Sequence, residues 1–155
     1  MLASSIVTVY IVLKPTGISG NQWVTEFSTD VTAVTDGFLG YSASGFPQAY
    51  LKGNVGNSIM SAFSATLSSA WKLWTLEFDK TRSTLEARQW VAGSAQTNNS
   101  ADSNNTNAFG NRALYIGARS GGVAPYTGDI AFLGIQTGVG RNTSIESDLT
   151  TRYAL

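Results

Sequence analysis

The chain has no cysteine and no histidine among its 155 residues. No disulfide can staple it, no thiolate can serve as a nucleophile, and the usual general base near neutral pH is missing. The common zinc and copper ligands are missing with them, and no metal or other cofactor is expected. Charge is also scarce: Asp, Glu, Lys and Arg make up 13% of the chain, against roughly 25% in a typical soluble domain. Ten basic residues offset ten acidic ones, and neither sign forms a run. Nucleic-acid binding needs clustered Lys and Arg to displace counterions, and an anionic membrane surface needs a basic patch, so neither partner is expected. No stretch approaches the ~18 apolar residues of a membrane-spanning helix. Met1–Ser5 places no basic residue ahead of the short apolar stretch Ile6–Leu13, which argues against a signal peptide. The absence of disulfides in a chain of this size leans towards a bacterial or viral source.

What is present is 43% hydrophobic residues, enough for one domain with a sizeable core over residues 1–155. Ser, Thr, Asn and Gly replace the missing charges, and these residues favour strands and turns over helices. Ser5–Lys14 is β-branched and aromatic on both faces, as a central strand covered on both sides would be. Gln22–Ser28 follows, with Trp23, Thr25 and Phe27 alternating against Val24 and Glu26; Gly37–Ser42 and Gln48–Lys52 come next. Trp74, Leu76 and Phe78 alternate with Thr75, Glu77 and Asp79. After the turn at Lys80–Ser83, Leu85, Ala87 and Val91 alternate with Glu86, Arg88 and Trp90. The pattern predicts an antiparallel hairpin with one buried face. Gly93–Asn107 is small and polar and is expected to be an exposed loop. Ala113–Ala118 and Asp129–Ile135 read as two further strands. Thr143–Glu146 has the form of a capping box, and Ile145, Leu149 and Tyr153 fall on one face of a short terminal helix.

Four segments in order resemble the laminin G-like domains of the concanavalin A-like group. They are Trp71–Asp79, Leu85–Gly93, Leu114–Arg119 with its Leu-Tyr-Ile-Gly-Ala strand, and Tyr126–Ala131 with its aromatic-x-Gly-x-Ile strand. The likeness spans residues 5–155 and implies an all-β fold: a two-sheet antiparallel jelly roll with about six or seven strands per sheet and one short C-terminal helix. It resembles most the form found in bacterial and phage proteins. Many members begin with a strand ahead of Ser5, so a sheet edge is expected to stay open or to be covered by another subunit. Calcium-binding members often carry an acid where Ala131 stands, which puts a calcium site in doubt.

Glu77 and Asp79 share a strand face about 7 Å apart, a glycosidase-like spacing. In jelly-roll glucanases a third carboxylate follows, but here Thr81 and Arg82 hold those positions. We therefore read Glu77 as a solvated strand residue and Asp79 as the residue that opens the turn, and expect no catalytic residue. Trp90, sharing a face with Arg88 and Glu86, is the expected contact for a glycan or partner. The reading that follows is a non-enzymatic structural or assembly protein of a virus particle, such as a phage capsid decoration, fibre or tail component. It would be an oligomer that contacts virion or self subunits through the open edge. The alternative is a carbohydrate-binding or adhesive domain, extracellular or part of a receptor-binding protein, with a polysaccharide as partner.

Overall fold

The computed structural model describes residues 4–17, 19–28, 30–31, 36–61, 66–96 and 99–155. In chain order the strands are β1 (Ile6–Pro15), β2 (Asn21–Phe27), β3 (Gly37–Ala43), β4 (Phe46–Lys52), β5 (Asn57–Ser61), β6 (Lys72–Asp79), β7 (Ala87–Val91), β8 (Ser94–Gln96), β9 (Asn99–Ala101), β10 (Leu114–Ile116) and β11 (Gly128–Thr137). A helix, α1 (Thr143–Tyr153), closes the chain. The strands form two antiparallel sheets, ordered β11-β1-β6-β7-β8 and β10-β2-β3-β4-β5-β9. This is the expected two-sheet sandwich, with five and six strands.

Side chains alternate across each strand, so one face of each sheet meets the other. Val7, Val9, Ile11, Trp74, Leu76 and Phe78 of the first sheet pack on Val24, Phe38, Ala49, Leu51 and Met60 of the second. Phe38 lies at the centre, 4.6 Å from the Phe78 ring and 5.2 Å from Phe27. The sheets approach closely there: a Cβ on Gly40 would lie 2.5 Å from Leu76 Cδ1.

The β6–β7 hairpin forms in the expected pairing, Trp74 opposite Val91 and Glu77 opposite Arg88. Its second face is buried as well. Ile145, Leu149 and Tyr153 of α1 cover Tyr10, Val12 and Leu73, and the segment after β11 covers Thr8. The helix is capped differently from the expected box. Asn142 is the N-cap and accepts from the Ser144 N–H at 2.9 Å. That leaves Glu146 to turn inward, accepting from Thr75 Oγ1 at 2.6 Å.

The expected loop Gly93–Asn107 contains β8 and β9, and Asn105 is buried. The physical reason lies in Glu86, which draws this segment onto the sandwich, as described below. β5 was not read from the sequence. β1 is internal, and the free edges belong to β11 and β8 in one sheet and to β10 and β9 in the other. No helix among the described residues is long and apolar enough to cross a membrane.

Candidate functional site

Of the three expected contact residues, the structure keeps two together. Arg88 and Trp90 share the outer face of the five-stranded sheet and are half-buried. Two guanidinium groups lie close to the Trp90 ring. The Arg141 guanidinium sits 4.6 Å from its ring centroid and that of Arg88 5.5 Å away. Both cations are tied down: Arg141 by Glu146, and Arg88 by Glu77. Burial, with Arg141 close by, lowers the pKa of Arg88. A sugar stacking on this ring would share it with these two ion-paired guanidinium groups, much as Trp23 shares its ring with Arg119. A hollow of about 200 Å³ beside Trp90 is mostly apolar. Of its polar lining residues, Arg88, Gln89 and Gln96, Gln89 is spent on Trp74 Nε1 and the carbonyls of Pro47 and Met60. Trp90→Ala is therefore expected to lower the melting temperature by a few degrees, as loss of a half-buried ring would. It should leave any glycan affinity within about twofold in titration calorimetry.

Glu86 departs from the expected face. Leu85 adopts a left-handed φ of 55°, which breaks the alternation and swings the next residue inward. Glu86 is fully buried. Its carboxylate accepts from Ser58 Oγ, from the Asn105 backbone N–H and from Asn105 Nδ2 at 2.9 Å. Asp102 accepts from the Leu85 and Glu86 backbone N–H groups and lies 3.0 Å from Ser58 Oγ. Glu86 thus holds the 102–105 segment and β5 together; it is a structural residue.

Asp79 opens its turn as expected, accepting from the Thr81 N–H at 3.0 Å and from Thr81 Oγ1 at 2.6 Å. Glu77 is not solvated. It is buried, pairs with Arg88 and accepts from the Arg141 N–H at 2.6 Å. A carboxylate locked in this way has no free path to a substrate bond. Among the described residues, no group of three or more His, Cys, Asp or Glu side chains is placed to hold a metal ion.

The outer face of the six-stranded sheet is different, and sequence reasoning missed it. Since α1 packs on β1 and β6, no helix among the described residues covers this second face. Two lateral rows of side chains cross it. Trp23, Tyr41 and Gln48 are paired in register on β2, β3 and β4; Glu26, Leu39, Tyr50 and Ile59 lie beside them on β2 to β5. The first row spans about 10 Å at the strand spacing, the length of a disaccharide. Trp23 and Tyr41 stack with centroids 5.5 Å apart and planes 26° apart, and Tyr41 hydrogen-bonds to Gln48. Leu39, Tyr50 and Val31 lie beneath as a small core of their own.

Arg119 closes one end of the row, its guanidinium 4.9 Å from the Trp23 ring centroid. It is held by Glu26 at 3.1 Å and by Asp30 at 3.2 Å. Burial raises the pKa of Glu26, opposed by the Val31 N–H and by Arg119. Burial likewise raises Tyr41 and Tyr50, so both stay neutral hydroxyl donors. Two buried donors here, Trp23 Nε1 and Arg119 Nη2, have no hydrogen-bond partner among the described residues. An unpaired buried donor costs about 1–3 kcal/mol, which an acceptor brought by a ligand would offset.

The signal that hid this face is a β-bulge. The pairing of β2 with β3 slips between Trp23 and Thr25. Trp23 therefore points outward while Phe27 points into the sandwich, although strict alternation places both on one side.

No family model matches the sequence, and no curated protein matches it either. Solved structures do match the fold. One is the CBM40 module of the IT-sialidase from Ruminococcus gnavus, bound to α2,3 sialyllactose, with a TM-score of 0.69 and 16% identity over 94% of this chain and 83% of that one. Domains LG4-5 of the mouse laminin α1 chain give a TM-score of 0.64 and 11% identity, over 90% of this chain and 39% of that one. A heptameric SAP-like pentraxin from Limulus polyphemus gives 0.61 and 12%, over 85% of this chain and 64% of that one. The present chain thus spans well under half of the laminin fragment. At these identities the likeness concerns the fold alone, the concanavalin A-like jelly roll that these neighbours share.

Proposed function

We propose that this domain is a non-catalytic carbohydrate-binding module that holds its glycan on the outer face of the six-stranded sheet. The observation that carries the reading is the row of Trp23, Tyr41 and Gln48 on a sheet face that α1 leaves uncovered. Aromatic rings offer a sugar an apolar face, while Gln48 and the Tyr41 hydroxyl supply hydrogen bonds at its edges. The neighbour from Ruminococcus gnavus, solved with α2,3 sialyllactose, supports a glycan over other ligands for this fold. The expected contacts Trp90 and Arg88 lie on the other sheet, and Glu86 is buried. A polysaccharide array tests the reading: reproducible binding to at least one glycan is expected, and none across a broad set would contradict it.

A second reading, self-association, draws on a separate observation. β11 is a ten-residue edge strand that pairs with β1 on one side only. It carries no Lys, Arg or Pro, the residues that usually blunt such edges. β10, the neighbouring edge, exposes Leu114 and Ile116. A second copy pairing antiparallel along β11 would cover the edge, and the heptameric pentraxin neighbour shows this fold in an oligomer. Sedimentation should then show a dimer or larger closed species; a monomer at every concentration would contradict it. The role as a virus-particle component draws no support from the neighbours and stands on this edge alone.

A further inference from the structure

The charges around the proposed binding face bear on which glycans it admits. Three charged groups cluster at its Trp23 end, and they are Glu26, Asp30 and Arg119. The one cation is engaged at Nε by Glu26 and at Nη1 by Asp30, so the cluster carries one positive charge against two negative ones. Lys52 stands at the far corner of the sheet, opposite Asn57, and is engaged with partners of its own. An anionic sugar laid along the row would meet no cation without a partner among these groups, and the one unpaired cationic donor, Arg119 Nη2, is itself buried. It would also meet a carboxylate surplus at the Arg119 end. Arg119 cannot turn to a ligand carboxylate in bidentate fashion without releasing Glu26, which is fully buried, or Asp30. The remaining polar groups, Gln48, the Tyr41 hydroxyl and the unpaired Trp23 Nε1, suit uncharged hydroxyls.

We infer that the ligand of this face is a neutral polysaccharide, recognised by stacking and hydrogen bonding and not by ion pairing. The inference rests on the carbohydrate-binding reading and deepens it. It also separates this chain from its neighbour in Ruminococcus gnavus, whose bound α2,3 sialyllactose carries a carboxylate.

The experiment uses the full chain on an array pairing neutral glucans, mannans, galactans and xylans with sialylated, uronic-acid and sulfated glycans. Any positive is followed by titration at low and high salt, and Asp30→Asn is run in parallel. Asp30 is partly exposed, so the variant should fold. The wild type should bind neutral glycans with little salt dependence. Asp30→Asn should keep that binding and raise any residual binding of acidic glycans at least threefold. Binding confined to acidic glycans, or lost at high salt, would overturn the inference while leaving the carbohydrate reading in place. No binding to either class would overturn both.

Discussion

Trp23→Ala should lower the affinity for the bound glycan at least tenfold while the domain stays folded. The ring supplies the largest apolar area in the row and stacks on Tyr41, so its loss removes the platform's flat end. Aromatic residues at the centre of a binding surface commonly contribute about 1.4 kcal/mol or more on truncation, and that figure is a tenfold change. The fold should survive because Trp23 belongs to the small outer cluster with Leu39 and Tyr50 and not to the inter-sheet core. A stability loss of about 1–2 kcal/mol is expected from denaturant unfolding. Trp90→Ala serves as the control, since it removes an equal ring from the other sheet. If Trp90→Ala abolished binding and Trp23→Ala did not, the site would lie on the wrong face of the molecule.

Glu86→Ala is expected to have the largest effect on stability, a loss of about 3–5 kcal/mol in urea unfolding. Removing the carboxylate strands the Asn105 N–H and side-chain amide in a buried site, and leaves the Ser58 hydroxyl only Asp102 as acceptor. It also opens a cavity where β5, the Leu85 turn and the 102–105 segment meet. Glu86→Gln keeps the shape and one acceptor oxygen, so it should cost distinctly less. Near-equal stability of Glu86→Ala and wild type would show that the network contributes little. This prediction reverses the expectation from sequence, in which Glu86 was a surface contact.

The reversal shows where local pattern and tertiary structure part. β1 was legible because its residues are apolar or β-branched on both faces, and β6 from the alternation of Trp74, Leu76 and Phe78 with polar residues, although its second face proves buried as well. The helix was legible from the spacing of Ile145, Leu149 and Tyr153, which the packing on Tyr10 and Leu73 reproduces. What failed was strict alternation at two single residues. The left-handed Leu85 moved Glu86 inside, and the bulge after Trp23 moved that ring outside. Neither a positive φ at leucine nor a bulge without glycine has a sequence marker. Glu77 was misjudged for another reason: its cover, Arg141, lies 64 positions further along the chain. The polar composition of 93–107 likewise read as loop, although Asn105 is spent on a buried carboxylate and on the Val55 and Gly56 N–H groups.

The most direct test of the central claim follows the four tryptophan indole N–H signals by ¹⁵N NMR as a bound glycan is titrated in. Trp23 Nε1 is unpaired and lies in the proposed face, Trp74 Nε1 is locked to Gln89, and Trp90 lies under Arg141. The Trp23 indole signal should shift with saturation while those of Trp74 and Trp90 hold still. A Trp90 signal that moves while Trp23 stays fixed would contradict it.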